Sequence, residues 1–333
     1  MSSIRTTSLL YRPSLSVWTA RKLDKAESAK VNKDNGAVEG AANVNKQLLP
    51  DSQELLSVQK WANSFRTFIY TSTSPWDDAG WRIRSVTGHM DFMAEVGDRI
   101  AEGNLLKDAF IQAYMHEIKQ AERTLGHMFR HSDYPGEQEV ESKFRFVVDV
   151  MPVPGADDFR IVEGIPKGEV DQLVKTAQAG TELRIQEAMK EVYTRLYTVV
   201  AKMANTLEQY GAGTVKKFND SLVENIAEIV GVMPALNLTN DPTLAALATD
   251  AAQLASYSLV DLRRNDSVRD AAVKDARQLA AKFKGYVPAS IPAAAAPAPV
   301  KAAPNLTVVI DERATLKPGA ASRRALFADM LDN

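Results

Sequence analysis

The residue types best suited to chemistry crowd into the first third of this chain. All four tryptophans, Trp18, Trp61, Trp76 and Trp81, lie within the first 81 residues. Arg21, Lys22, Lys25, Lys30 and Lys33 follow the first of them, and Arg82 and Arg84 follow the last. Indole faces stack on bases while Lys and Arg track phosphates, which is the physical recipe for a single-stranded nucleic-acid groove. Trp76 and Trp81 interrupt charged residues rather than an apolar stripe, so they are the candidate stacking platforms. The competing reading places Trp61 in a helix core and makes the loop tryptophans staples of that core.

Other constellations carry less. His127 and His131 stand one helical turn apart, where a metal could bridge them. His116 lies about 16 Å away along the same axis, and Met128 occupies the place of the glutamate in an HExxH site. These histidines therefore read as surface or packing residues. Asp77-Asp78 and Asp157-Asp158 could hold a cation, but adjacent loop carboxylates usually serve as turn and cap residues. The chain has no cysteine, which removes disulfides, thiolate metal sites and cysteine nucleophiles. It also lacks a glycine-rich phosphate loop, so neither a nucleotide motor nor any cofactor is expected.

The elements that must position these residues are mostly helical. After Asp51-Ser-Gln-Glu54, which resembles a capping box with Asp51 as the cap, Leu55, Val58, Trp61, Ala62, Phe65 and Ile69 recur at helical spacing. This helix must stop before Ser74-Pro75. A second is expected over about 104–131. Phe144, Phe146, Val148 and Val150 alternate like a strand, and Phe159–Val162 offers a hairpin partner, giving a small β-hairpin near 143–163. A helical reading through Val140, Phe144 and Val147 is the alternative.

The strongest periodic signal covers 168–210. Ala188, Val192, Leu196, Val199, Met203, Leu207 and Tyr210 are spaced as an eleven-residue repeat, suited to a nearly straight helix. Its apolar stripe needs cover from later helices or from a second copy, and the expected state is a homo-oligomer. Helices follow at about 219–233, 242–263 and 266–284, with Asp241-Pro242 as a cap and first-turn pair. Residues 287–304 repeat Pro and Ala and read as a disordered, extended linker. The tail, 305–333, carries Leu326, Phe327, Met330 and Leu331, an apolar tip suited to hooking a protein partner.

The fold class expected is thus mainly α: an elongated helical bundle around a long central helix, with a small β-hairpin. Residues 1–50 read as an extended basic segment, and 51–286 as the helical core. Net charge is −2, so no global basic field advertises nucleic acid, although residues 1–90 hold 12 basic against 8 acidic residues. No apolar run is long enough to cross a membrane. The first 23 residues hold no acid and superficially suit a transit peptide, but the basic run continues without a break into a structured segment.

Five short motifs bear on lineage: Trp18-Thr-Ala-Arg-Lys-Leu-Asp-Lys25, Ser74–Trp81, Tyr134-Pro135, Pro152-Val-Pro154 with Asp158-Phe-Arg160, and Pro234–Pro242. In these, over about residues 15–250, the chain resembles a family of uncharacterised proteins of tailed bacteriophages and some bacteria. The resemblance implies a phage protein in the cytoplasm of an infected bacterial host, sometimes encoded near a MoxR-type AAA ATPase. Two functions are therefore carried forward, both non-enzymatic. One is a single-stranded DNA-binding protein of DNA replication or transcription. The other is a helical structural or adaptor protein acting with an AAA ATPase or in the virion.

Overall fold

The computed structural model describes residues 2–155, 166–214 and 217–287. The chain is mainly α, with a small antiparallel sheet. A short helix α1 (Ser2–Thr7) leads into β1 (Ser8–Ser16), and β2 (Arg21–Leu23), α2 (Lys25–Asp34) and β3 (Asn45–Gln47) form a small lobe. Then come α3 (Gln53–Ser72), β4 (Ser74–Pro75), β5 (Arg82–Ser85), α4 (His89–Leu125), two 3-10 turns, α5 (Glu137–Ser142) and β6 (Arg145–Pro152). The long helix α6 (Lys167–Gly211) precedes α7 (Ser221–Leu236), α8 (Pro242–Leu254), α9 (Leu259–Arg264) and α10 (Asp266–Lys282).

Strand order in the larger sheet is β4-β5-β1-β6, and β2 pairs with β3 separately. The sheet parts two apolar cores because successive strand residues point to opposite faces. Leu10 and Tyr11 are both fully buried, yet Leu10 packs with Ile83 and helices α6–α10, whereas Tyr11 packs with α3, α4 and Phe146. Each such side chain contributes about 1.5–3 kcal/mol by leaving water.

This corrects the expected extended N-terminal segment. β1 is an inner strand, paired to β5 over Ser8–Tyr11 and to β6 over Leu9–Ser16. Trp18, Ala20, Leu48 and Leu49 are buried beside α3 and α4. Pro13 hides the strand in the sequence; it lies beyond Tyr11, the last residue paired to β5, where β1 has a partner on one side only. The expected hairpin is corrected likewise. β6 is a strand, but its ladder is with β1, from Leu9↔Pro152 to Ser16↔Arg145, and Phe159–Val162 lies outside the described residues.

The helices follow their periodicity with shifted ends, except that the single helix expected over 242–263 is two, α8 and α9, with Ser258 capping the second. Ser52, not Asp51, caps α3, its hydroxyl accepting from the Leu55 amide at 3.2 Å. α4 begins at His89 rather than near 104, because Phe92 and Val96 continue its buried stripe behind two glycines. α6 spans 45 residues, roughly 65–70 Å. Ala188, Val192, Leu196, Met203 and Leu207 are covered by α7, α8 and α10 of the same chain, so this stripe supplies no reason for a second copy. Alanines at 272 and 276 let α10 lie close against α6. No described helix is long and apolar enough to cross a membrane.

Candidate nucleic-acid interface

The nine residues proposed from sequence separate into two groups with different environments. The first group belongs to the turn joining β4 and β5. The Trp76 amide donates to the Trp81 carbonyl at 2.9 Å, and the Asp77 carboxylate accepts from the Trp81 amide at 3.0 Å. Gly80 has φ of +87°, a conformation that L side chains rarely adopt. Asp77 is therefore a turn residue. The turn sets the Trp76 ring inward at 6% exposure, among the residues of the α6–α10 core, with the Arg184 guanidinium 5.5 Å from its centroid. Trp81 is half-buried against the same core, and Arg12 lies over its ring at 4.8 Å while pairing with Asp149 at 3.0 Å. Trp76 has no free face for a base, and Trp81 already stacks a cation. Trp18 and Trp61 are also buried. The proposed stacking role of Trp76 is thus corrected to a core role.

Arg82 and Arg84 are corrected as well. A helix leaves its last four carbonyls without helical partners and concentrates negative potential there. At the end of α3, Arg82 donates to the Tyr70 and Thr73 carbonyls at 3.2 and 2.8 Å and to the Thr73 hydroxyl at 2.7 Å. Arg84 donates to Ser72 at 3.0 Å, and Arg195 of α6 to Thr71 and Thr73 at 3.1 and 3.0 Å. Tyr70 and Phe92 lie against the Arg82 and Arg84 guanidinium planes. Burial, with Arg195 adjoining, pulls Arg82 down to about 10, so it stays charged at neutral pH. Glu191 bonds Arg195 and is pushed up by its own burial, with the two arginines opposing. These guanidiniums cap a helix and are occupied.

The second group is exposed. Arg21 and Lys22 lie on β2, and Lys25, Lys30 and Lys33 on α2. Asp24 caps α2, accepting from the Ala26 and Glu27 amides. The inner side of α2 is polar: Ser28 accepts from the Val44 amide, and the Asn32 carboxamide bonds both backbone groups of Ala42. Beneath the lobe Lys46 is buried, donating to Met128 at 2.7 Å and facing Asp24 at 3.6 Å and Asp133 at 2.5 Å. The Glu27 amide and then Lys46 hold Asp24 below its ordinary value. Burial alone would raise Asp133, but its bonds to Lys46 and Lys22 outweigh that and hold it low. Lys22 is thus partly engaged, at 2.9 Å from Asp133, and Lys30 stands 4.0 Å from Glu27. Arg21, Lys25 and Lys33 form no ion pair among the described residues.

The structure does not bring the two groups into one groove. Trp76 packs with the α6 core, whereas Ala20 and Leu48, flanking the basic lobe, pack with α3 and α4. His116 is on α4, His127 and His131 are in the 3-10 turns, and all three are exposed. No group of three or more metal-ligating side chains occurs among the described residues. Asp157-Asp158 and the tip residues Leu326, Phe327, Met330 and Leu331 lie outside them.

Sequence reading missed one buried carboxyl and its half-buried partner. Glu117 of α4 is 6% exposed and meets Glu54, in the first turn of α3. Burial, then the hydrogen bond shared with Glu54, pushes Glu117 up to about 7, while that same bond holds Glu54 low. Glu117 therefore holds its proton to higher pH than Glu54. Only its place beside Ile118 on the buried edge of α4 hinted at this. No family model, curated protein or solved structure matches the chain.

Proposed function

We propose that this protein is a non-catalytic helical adaptor that works beside an AAA ATPase, in the cytoplasm of a phage-infected bacterium. The observation that carries this reading is the position of Trp76, Arg82 and Arg84. The aromatic and basic residues that a single-strand groove would require instead join two apolar cores across a sheet. A rigid head of this kind suits presentation of a surface, and the sequence beyond it provides a Pro/Ala tether ending in Leu326, Phe327, Met330 and Leu331. The phage-family resemblance supplies the candidate partner class. The test is the steady-state rate of a MoxR-type AAA ATPase, the class that the resemblance implies, with and without the full chain. A change in rate that disappears when Leu326 and Phe327 become aspartate supports the proposal. An unchanged rate and no co-sedimentation refute it.

A second reading keeps nucleic acid but drops base stacking. It is favoured by the exposed cations Arg21, Lys25, Lys30 and Lys33 on a lobe anchored by buried ion pairs. Such a surface would bind phosphate without reading bases. Single and double strands would then bind alike and weaken steeply as salt rises, which fluorescence anisotropy at two salt concentrations measures.

A further inference from the structure

The outer face of α4 has a composition that its surroundings do not explain. Met90, Ala94, Gly97, Ala101 and Leu105 recur at steps of four, three, four and four, and Met115 returns to the same face. All are exposed, Met90 by 77%, Leu105 by 72% and Met115 by 54%. A side chain added at Gly97 would meet nothing within 4 Å. From Met90 to Lys119 the face runs about 44 Å. A solvated helix face ordinarily carries charged or long polar residues, whereas this one alternates small residues with large apolar ones as far as Leu105, before Asp108, Gln112 and Lys119 on its second half.

We propose that this face is the interface of a symmetric dimer in which α4 packs antiparallel against α4 of a second copy. Two observations select that occupant. The first is shape. A two-fold axis between residues 104 and 105 sets Ala94 opposite Met115 of the second copy, Gly97 opposite Gln112, and Ala101 opposite Asp108. Met115 and Gln112 thus each meet a small residue, Met90 comes opposite Lys119, and the two Leu105 side chains meet near the axis. The second is charge. Asp91, Asp98 and Glu102 are exposed on the first half of α4, and Lys119 and Arg123 on the second. None of these five forms an ion pair among the described residues. Antiparallel packing brings Asp91 toward Lys119 of the second copy, whereas parallel packing would align the three acids with their own kind. An isologous contact of this kind closes after two copies. It also places self-association on a face other than the apolar stripe of α6.

The experiment is sedimentation equilibrium of the full chain across a micromolar concentration series, with Leu105→Glu as the first variant. The wild type should move from monomer to dimer mass, and the variant should weaken association by about tenfold or more, as loss of a central apolar contact implies. Leu105 is exposed, so the variant should keep its circular dichroism spectrum and melting temperature. Because the chain has no cysteine, Leu105→Cys gives a second readout that needs no loss of function. Under mild oxidation it should form a disulfide-linked dimer, while Leu183→Cys, also at an exposed position on α6, should not. A chain that stays monomeric throughout the series overturns the proposal. So does a dimer that ignores Leu105→Glu and crosslinks equally well through both cysteines.

Discussion

Trp76 shows at the scale of one residue how the environment decides a role. Asp77 and Asp78 follow it in sequence, but the turn from β4 to β5 sets its ring in the α6 core. Trp76→Ala should therefore lower stability by about 3–5 kcal/mol, the usual cost of deleting a buried aromatic, seen as an earlier urea midpoint with no selective effect on single strands. Arg84→Met should cost about 1–3 kcal/mol, because it leaves the buried Ser72 carbonyl without a donor. Glu117 yields a pH test. Its folded value is raised above the ordinary carboxyl value, so the folded chain holds a proton that the unfolded chain releases. The stability from this group is full below the ordinary value near 4.5 and is lost as pH rises toward about 7. Glu54, held low, acts in the opposite sense at more acidic pH. Asp51, Ser52 and His116 also face the pair. Glu117→Gln keeps a neutral donor, so its melting temperature should fall less than that of the wild type between pH 5 and 8. Parallel curves for the two proteins would rule out the shared proton.

Two glycines in long helices should respond in opposite directions. Gly103 of α4 faces Trp61 of α3, and a Cβ there would sit 2.3 Å from the indole ring. Only glycine lets these helices approach so closely, although glycine itself costs a helix roughly 1 kcal/mol relative to alanine. Gly103→Ala should be net destabilising, because displacing a packed indole typically costs about 1–3 kcal/mol. Gly180 of α6 has nothing within 4 Å, so Gly180→Ala should raise stability by about 0.5–1 kcal/mol. Chemical denaturation of both variants separates packing from propensity. The three-arginine cap on α3 belongs to this scale too. Arg82 and Arg84 come from the next strand and Arg195 from α6, so the end of one helix joins elements from both sides of the sheet.

For the whole molecule, the described residues all fall within one compact unit. Removing 288–333 should leave the melting temperature nearly unchanged, since a proline-rich tether contributes little packing. Capture of a protein partner should be lost with it. A large fall in melting temperature would instead mean that the removed segment packs against the core. The buried sheet between the two cores predicts a single cooperative transition for the rest of the chain, measurable by calorimetry as agreement between calorimetric and van't Hoff enthalpies.

Helical character, the long helix over 168–210 and the Asp241-Pro242 start were all legible in the sequence. Each rests on contacts between residues three or four apart, which the chain order itself specifies. The strand in 145–150 was legible for a similar reason, as a run of alternating Phe and Val. Its partner was not, because pairing β6 with β1 joins residues more than a hundred positions apart, and nothing local records that register. The candidate site failed at the same limit. Whether Trp76 faces a base or a core, and whether Arg82 meets a phosphate or a carbonyl, depends on where α3 ends relative to β5 and α6. Arg21, Lys25, Lys30 and Lys33 stand exposed on the basic lobe, because charged side chains leave water only when partners await them. Lys46 has such partners in Asp24 and Asp133 and is buried, whereas Lys25 and Lys33 have none among the described residues and remain in solvent. The tertiary structure alone decided between those outcomes, by bringing two distant carboxylates to one lysine.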